Sequence, residues 1–320
     1  MSEANLQPRK DLLDIASLTV DEIEHVLHNA GPFKQLFQRS VKKVPTLRGK
    51  TVLNLFYEPS TRTNSSFEVA ANRMSADVTH FSVSTSSIVK GESLFDTIQT
   101  LQAMRTDYIV IRHQAAGTPG IVARNTRASV INAGDGFHAH PTQALLDAFT
   151  FREVCPEIEG RKIVIVGDIL HSRVARSTST IFHRLGAKVA VLGPGPLLPD
   201  GRHEYMHRLS NWDDVMDWQP DAVYLLRMQL ERQDGQFFPS IGEYHKLYGL
   251  TPERLNYLRD KGIYLMHPGP VNRGVEITDE AMVYEKSLIN AQVENGIAVR
   301  MATLYWLRPE TGGSFSETAI

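Results

Sequence analysis

Ser60-Thr61-Arg62-Thr63 sets three hydroxyl donors and one guanidinium in consecutive positions, two residues after the carboxylate of Glu58. Before it, Val52 to Phe56 is an apolar run of strand length. After it, Ser66 to Met74 carries Phe67, Val69, Ala70, Ala71 and Met74 and reads as a helix. Strand, Ser/Thr-rich turn and helix start is a layout that offers free backbone N–H groups to an anion. A planar, permanently charged guanidinium beside those groups suits phosphate. One Ser or Thr before a helix is ordinarily an N-cap, and one Arg is ordinarily solvated. Four consecutive anion donors at one helix start favour a phosphate site over both readings.

Polar residues recur where other strands should end. Arg112-His113 follows Tyr108 to Ile111, and Arg173 lies beyond a strand ending at Val166. Arg227 and Gln229 follow Val223 to Leu226, and His267-Pro268-Gly269-Pro270 follows Ile263 to Met266. His140-Pro141-Thr142-Gln143 opens a helix after Gly134-Asp135-Gly136. Ligands of open α/β sheets bind outside the carboxyl ends of the strands. Arginines 62, 112, 173 and 227 at that edge imply a strongly anionic ligand. At a helix start the dipole disfavours an imidazolium, so His140 is expected neutral, donating to a carbonyl oxygen. His267 before a proline reads as structural. Ser84 to Ser93, with Lys90-Gly91-Glu92, reads as an exposed loop, or as one that closes over an anion.

Two other chemistries are disfavoured. His138, His140 and Asp135 have a spacing that suits zinc, but no further ligand pair accompanies them, and no metal is expected. Ile163 to Asp168 resembles the start of a dinucleotide-binding turn. It continues Ile169-Leu170-His171-Ser172-Arg173 without the second and third glycines. In Gly193-Pro194-Gly195-Pro196 the prolines remove N–H groups that a phosphate would need.

The elements that must position these residues follow from pattern and composition. The chain has 320 residues, 42% hydrophobic and 22% charged, with net charge −2, enough for two cored domains. That balance offers no general attraction to nucleic acid or to anionic membranes, and no apolar run reaches spanning length. Met1 to Lys10 is polar and lacks a signal core. The lone Cys155 excludes an intrachain disulfide and a multi-cysteine zinc site, and a cytoplasmic location is the simplest expectation. Thr19 and Glu22 form a capping box for a helix through Leu27, followed by a linker with Gly31-Pro32 and the basic Arg39 to Lys43. Strands are expected at 107–112, 129–132, 162–166, 187–192, 222–226 and 263–266, and helices at 142–154, 174–185 and 290–307. The fold class is α/β, with two domains, each a mostly parallel sheet flanked by helices. The domains are expected at 1–150 and 151–289, with a closing helix within 290–308 packing back on the first and a mobile tail at 311–320.

Taken in order and with their gaps, Ser60 to Thr63, Ser86 with Lys90-Gly91-Glu92, Arg112-His113, Asn132 to Gly136, His140 to Gln143 and His267 to Pro270 carry a resemblance. The chain resembles catalytic chains of the aspartate carbamoyltransferase (aspartate transcarbamoylase) family over essentially its whole length. Lys90-Gly91-Glu92 and Arg227-Met228-Gln229 resemble the aspartate branch. The resemblance implies the transcarbamoylase fold, with a carbamoyl-phosphate-binding domain followed by an aspartate-binding one. It implies transfer of a carbamoyl group from carbamoyl phosphate to L-aspartate, the committed step of pyrimidine (UMP) biosynthesis, with no cofactor. Alternatives are a transferase for ornithine or an acylated relative, and a non-catalytic phosphometabolite-binding homologue.

By position, the resemblance assigns phosphate to Ser60, Thr61, Arg62 and Thr63. Arg112 would span phosphate and carbonyl oxygen, His140 would polarise the carbonyl, and Gln143 would contact the carbamoyl amine. Ser86 and Lys90 would come from the neighbouring subunit of a homotrimer with shared sites. Arg173 would hold the α-carboxylate of aspartate, and Arg227, Gln229 and Lys90 its side-chain carboxylate. Backbone around Gly269-Pro270 would meet the carbamoyl NH2 and the amine, while Glu58 and Glu231 would orient arginines. Two positions depart from the enteric pattern. Asn64 replaces an Arg, which implies a weakened supporting salt bridge, and Gly269 replaces a Leu, expected to be tolerated at a backbone contact. The long N-terminus and Asn272 to Glu276 resemble bacterial members outside the enteric group. Relatives assemble with a regulatory chain or, in some bacteria, with a dihydroorotase-like chain.

Overall fold

Alternate residues of each strand face two different cores, and this sorting builds the architecture. The computed structural model describes residues 9–82, 93–199, 205–228 and 240–309. In the first unit the strands are β1 (Thr51–Phe56), β2 (Asp77–Ser82), β3 (Tyr108–His113) and β4 (Ser129–Asp135), all parallel in the order β2-β1-β3-β4. Val52, Val110 and Ile131 face one cluster; Leu53, Leu55, Ile109, Ile111 and Val130 face the opposite one. The second unit holds β5 (Lys162–Val166), β6 (Lys188–Leu192), β7 (Met206–Arg208), β8 (Ala222–Leu225) and β9 (Tyr264–Met266). They are parallel in the order β7-β6-β5-β8-β9. Ile163, Ile165, Val189 and Tyr224 join the same cluster that lies under the first sheet, whereas Val164, Val166, Val223 and Leu225 face away from it. One core therefore runs through both units.

Three helices make that continuity. α1 (Val20–Gln35) starts with the capping box of Thr19 and Glu22. α5 (Pro141–Val154) is buried on nearly all sides, as a helix wedged between layers must be. α11 (Ile289–Trp306) packs on α1, on α5 and on α2 (Thr61–Arg73) of the first unit. α5 in turn packs on α6 (Arg173–Arg184) of the second unit. The described remainder of the helical layer is α3 (Leu94–Ala103) and α4 (Thr118–Arg124) in the first unit. In the second it is α7 (Trp212–Trp218), α8 (Ile241–Tyr248), α9 (Pro252–Lys261) and α10 (Asp279–Met282).

Three sequence expectations need correction. Gly31-Pro32 is not a linker: α1 runs through both to Gln35. Buried Ile23, Val26, Leu27 and Ala30 continue into Phe33, which meets Tyr305 edge-on at 5.8 Å, and this packing outweighs the bond that Pro32 removes. β4 extends to Asp135, three residues beyond Asn132, because it is buried along its whole length and Asp135 is bonded into the following turn. The helix after the Ser/Thr motif starts at Thr61 rather than Ser66, so the motif is the first helical turn itself.

Phe151 on α5 marks where the two units share a core. It is fully buried, with Phe182 of α6 at 5.7 Å and Tyr264 of β9 at 6.3 Å, both edge-on. Phe151→Ala should lower the stability of the whole chain by about 3–5 kcal/mol, read as a urea midpoint shift. A loss below about 1 kcal/mol would show that the units do not depend on this contact.

Candidate active site

Parallel order places both topological switch points at one cleft. In the first sheet β1 is followed by β2 on one side and β3 on the other; in the second, β5 is flanked by β6 and β8. A crevice opens at the carboxyl ends of strands where such a reversal occurs. The Ser60 to Thr63 turn after β1, Arg112 near the end of β3, Arg173 beyond β5 and Arg227 beyond β8 all line a single cleft of about 730 Å³. Glu58, His140, Gln143 and His267 to Pro270 complete its wall.

Ser60 occupies the N-cap position of α2, but its hydroxyl makes no capping bond. The amides of the first turn have no intrahelical acceptor and face the cleft end of the helix. Thr63 is buried. Asn64 accepts a hydrogen bond from Asn54 Nδ2 at 2.9 Å, so an amide pair stands where the family pattern suggests a salt bridge.

Glu58 ties the two units together. Its Oε2 accepts from Arg112 Nε at 3.1 Å and from Arg173 Nη2 at 3.0 Å. Arg173, 3% exposed, also donates to the Gly136 carbonyl at 3.3 Å. Burial, and then the nearby charge of Arg227, lowers the pKa of Arg62. The guanidinium of Arg62 lies across Gly269, in the space a Cβ would take, and Gly269 has a left-handed φ of +61°. A Leu at that position would meet both the backbone conformation and Arg62, so the glycine suits the local geometry of this chain.

His140 is the N-cap of α5, and its amide donates to Ser177 Oγ at 2.9 Å across the unit boundary. Its ring is buried, and among the described residues Nδ1 has no hydrogen-bond partner. Burial, then the charges of Arg173, Arg112 and Arg300, pushes its pKa well below the ordinary 6.5. The ring is neutral at physiological pH, with one nitrogen available to donate. Gln143 Nε2 donates to the buried Asp147 Oδ1 at 2.9 Å.

His267 is a brace, as a histidine between a strand and a proline should be. Its Nδ1 accepts from the Gly269 amide at 2.8 Å, so Nε2 carries the proton and donates to Glu276 Oε1 at 3.1 Å. Three contributors escaped the sequence reading: Arg300, Asp147 and Gln292. Arg300 is buried, donates to Ser66 Oγ at 2.8 Å and stacks over Phe67 at 5.0 Å; burial lowers its pKa to about 10. An Arg within the mostly apolar second half of the closing helix, residues 297–306, was the available signal. Ser86, Lys90, Gln229 and Glu231 lie outside the described residues, as do residues 311–320. Among the described residues no cluster of three metal-ligating side chains occurs, and no helix is long and apolar enough to cross a membrane.

Known proteins share this architecture. Residues 10–153 match the model "Aspartate/ornithine carbamoyltransferase, carbamoyl-P binding domain", and residues 159–307 match its "Asp/Orn binding domain" counterpart. The chain is 64% identical to the aspartate carbamoyltransferase catalytic subunit of Akkermansia muciniphila, covering 95% of this chain and 98% of that one. It is 53% identical to the catalytic subunit from Endomicrobium trichonymphae, over 96% and 98% of the two chains. Among solved structures, aspartate transcarbamoylase of Trypanosoma cruzi with N-(phosphonacetyl)-L-aspartic acid superposes with a TM-score of 0.84 at 28% identity, covering 94% and 96%. The M. jannaschii catalytic subunit superposes at 0.80 and 33% identity, covering 92% and 97%. The chain belongs to the aspartate/ornithine carbamoyltransferase family.

Proposed function

We propose that this chain is an enzyme that transfers the carbamoyl group of carbamoyl phosphate to L-aspartate, giving N-carbamoyl-L-aspartate and phosphate for pyrimidine biosynthesis. The observation that carries the reading is the convergence of Ser60 to Thr63, Arg112, Arg173 and Arg227 on one cleft at the switch points of two sheets. The first unit holds carbamoyl phosphate and the second holds aspartate. Three anionic groups, one phosphate and two carboxylates, match the guanidiniums available. Ornithine, with a cationic side chain, would meet repulsion where Arg227 stands.

The chemistry follows from charge. The aspartate amine attacks the carbonyl carbon, and the carbonyl oxygen gains negative charge. Arg112, neutral His140 and the Thr63 hydroxyl stabilise that oxygen as preset donors. The C–O bond to phosphate breaks, and the departing phosphate takes the amine proton. Ser60, Thr61, Arg62 and the helix start hold the phosphate, while Gln143 and the Gly269-Pro270 backbone orient the carbamoyl amine. Arg173 meets the α-carboxylate; Arg227, Gln229 and Lys90 meet the side-chain carboxylate. Glu58 orients Arg112 and Arg173, and Glu231 supports the arginines of the aspartate side. Drawing the two substrates together and excluding water accelerates transfer and protects the labile acyl phosphate.

Phosphate release from carbamoyl phosphate with L-aspartate should far exceed release with L-ornithine, and Arg227→Ala should raise the KM for aspartate at least tenfold while changing that for carbamoyl phosphate less than about threefold. Ornithine preference would overturn the acceptor, and no turnover with either would favour a non-catalytic homologue. Equal weakening of both substrates would remove Arg227 from the aspartate site.

The neutral state of His140 gives a second test. The unfolded chain takes up protons on His140 and His267 below about pH 6.5, and the fold excludes them from both buried rings. Stability is thus full above that pH and falls as the pH drops through it. The ring signals of His140 in an NMR titration should stay those of the neutral form from about pH 8 to 6. A midpoint near about 6.5 would contradict a neutral carbonyl donor.

We infer a cytoplasmic homotrimer in which Ser86 and Lys90 reach the neighbouring subunit's site, with a dihydroorotase-like or regulatory chain as a further partner. A cyclic trimer has heterologous interfaces, so each subunit gives a loop and receives one. Lys90→Ala and His140→Ala trimers should each be nearly inactive. After dissociation and joint reassociation, hybrids should regain activity, up to roughly a third of wild type, because one boundary in three pairs two intact residues. Absence of recovery in verified hybrids would place Lys90 in its own subunit's site.

A further inference from the structure

Asp147 is a fully buried carboxylate that does not itself line the cleft and yet gathers side chains from four elements. Its Oδ1 accepts from Gln143 Nε2 of α5 at 2.9 Å and from Gln292 Nε2 of α11 at 2.7 Å. Its Oδ2 accepts from Thr178 Oγ1 of α6 at 2.8 Å and from Tyr224 OH of β8 at 2.9 Å. Four donors use both lone pairs of both oxygens, which only an ionised carboxylate offers. Burial pushes the Asp147 carboxyl up to about 6 against the pull of those donors, so at neutral pH it is still the charged acceptor.

The two halves of this hub differ in freedom. Thr178 and Tyr224 are hydroxyls and can turn over to accept instead of donate. The amides cannot both turn. Gln292 Oε1 accepts from the His267 amide at 3.0 Å, which keeps its NH2 toward Asp147. Gln143 lines the cleft, and its NH2 is taken by the same oxygen. Its carbonyl Oε1 is then the end left for the cleft, an acceptor and never a donor. We propose that Asp147 is a positioning residue that sets the Gln143 amide with its oxygen toward the substrate, so that the site selects an acyl phosphate bearing N–H groups. This rests on the carbamoyl-transfer reading above. Within that reading it makes Asp147, seated at the junction of the two units, part of the discrimination between a carbamoyl and an acetyl group.

Acetyl phosphate is the informative probe, because a methyl replaces the carbamoyl NH2 and gives nothing to Gln143 Oε1. Equilibrium binding of carbamoyl phosphate and of acetyl phosphate is measured on the purified chain and on variants. In Asp147→Ala, Gln143 loses its anchor: carbamoyl phosphate should weaken about tenfold and acetyl phosphate less than about threefold. Asp147→Asn keeps Oδ1 toward the two amides and turns its NH2 to the hydroxyls, so it should stay within about threefold of wild type for both. In a Gln143→Met background, Asp147→Ala should add no further selective loss. If the Ala chain does not fold, Asp147→Ser supplies the same ratio, since its hydroxyl is too short to hold the amide. Equal weakening of the two acyl phosphates, or no weakening, overturns the positioning role. An Asn variant that loses carbamoyl phosphate as the Ala variant does also overturns it. Failure of the wild-type chain to bind carbamoyl phosphate at all would instead overturn the transferase reading.

Discussion

Mutual repulsion among cations is the constraint around which this molecule is arranged. Arg62, Arg112, Arg173, Arg227 and Arg300 all line one cleft. Unpaired like charges in a partly desolvated space are costly, and the structure meets that cost with fixed acceptors. Glu58 takes two of the guanidiniums, the Gly136 carbonyl takes a second bond from Arg173, and Ser66 holds Arg300. His140 responds to the same field by remaining neutral, since three of these arginines push its pKa in the same direction as burial does. An arriving phosphate and two carboxylates would neutralise the cluster. A field that costs stability on its own would thus be the source of the anion affinity proposed above.

Because Glu58 belongs to the first unit and Arg173 to the second, charge compensation also couples the units. The shared core beneath them supplies a rigid base, with α5 and α11 packed against one another. The polar bonds above that base sit at the cleft, where substrate would compete for them. Arg112 and Arg173 are each oriented by the same carboxylate oxygen, so binding at one unit bears on the geometry of the other.

The anion-binding edge was legible in the sequence because each piece is local. A strand pattern, a turn and a charged residue lie within about ten residues of one another in Ser60 to Thr63, in Arg112 and in Arg227. What was not legible is long-range. Asp147 sits in a run of apolar helix residues, and nothing nearby tells that Gln292, 145 positions away, would share its oxygen. Arg300 meets Ser66 across 234 positions. Gly31-Pro32 was read as a break on backbone preference alone, and the packing of α1 on α11 overrode it. The conflict between Gly269 and any larger residue depends on where Arg62 lies, which only the folded chain determines.

The buried polar groups around the cleft form two separate kinds of network. Around His267 the bonds run to backbone amides of Gly269 and Asn272 through Glu276, so they shape a loop. Around Asp147 they run between side chains of four elements. A loop-shaping network could be replaced by apolar packing with little chemical consequence, as buried ion pairs often can. Under the carbamoyl-transfer proposal, a network that ends on an amide facing substrate could not be, because an apolar replacement would leave that amide free to turn. Gln292 joins the two networks, with its oxygen on the His267 amide and its NH2 on Asp147. The loop that would meet the carbamoyl group from one side and the glutamine that would meet it from the other therefore share a single reference point. Under the proposed reading, that shared reference would offset the desolvation cost of a fully buried carboxylate, because it gives the Gln143 amide and the loop at 267–270 a common anchor.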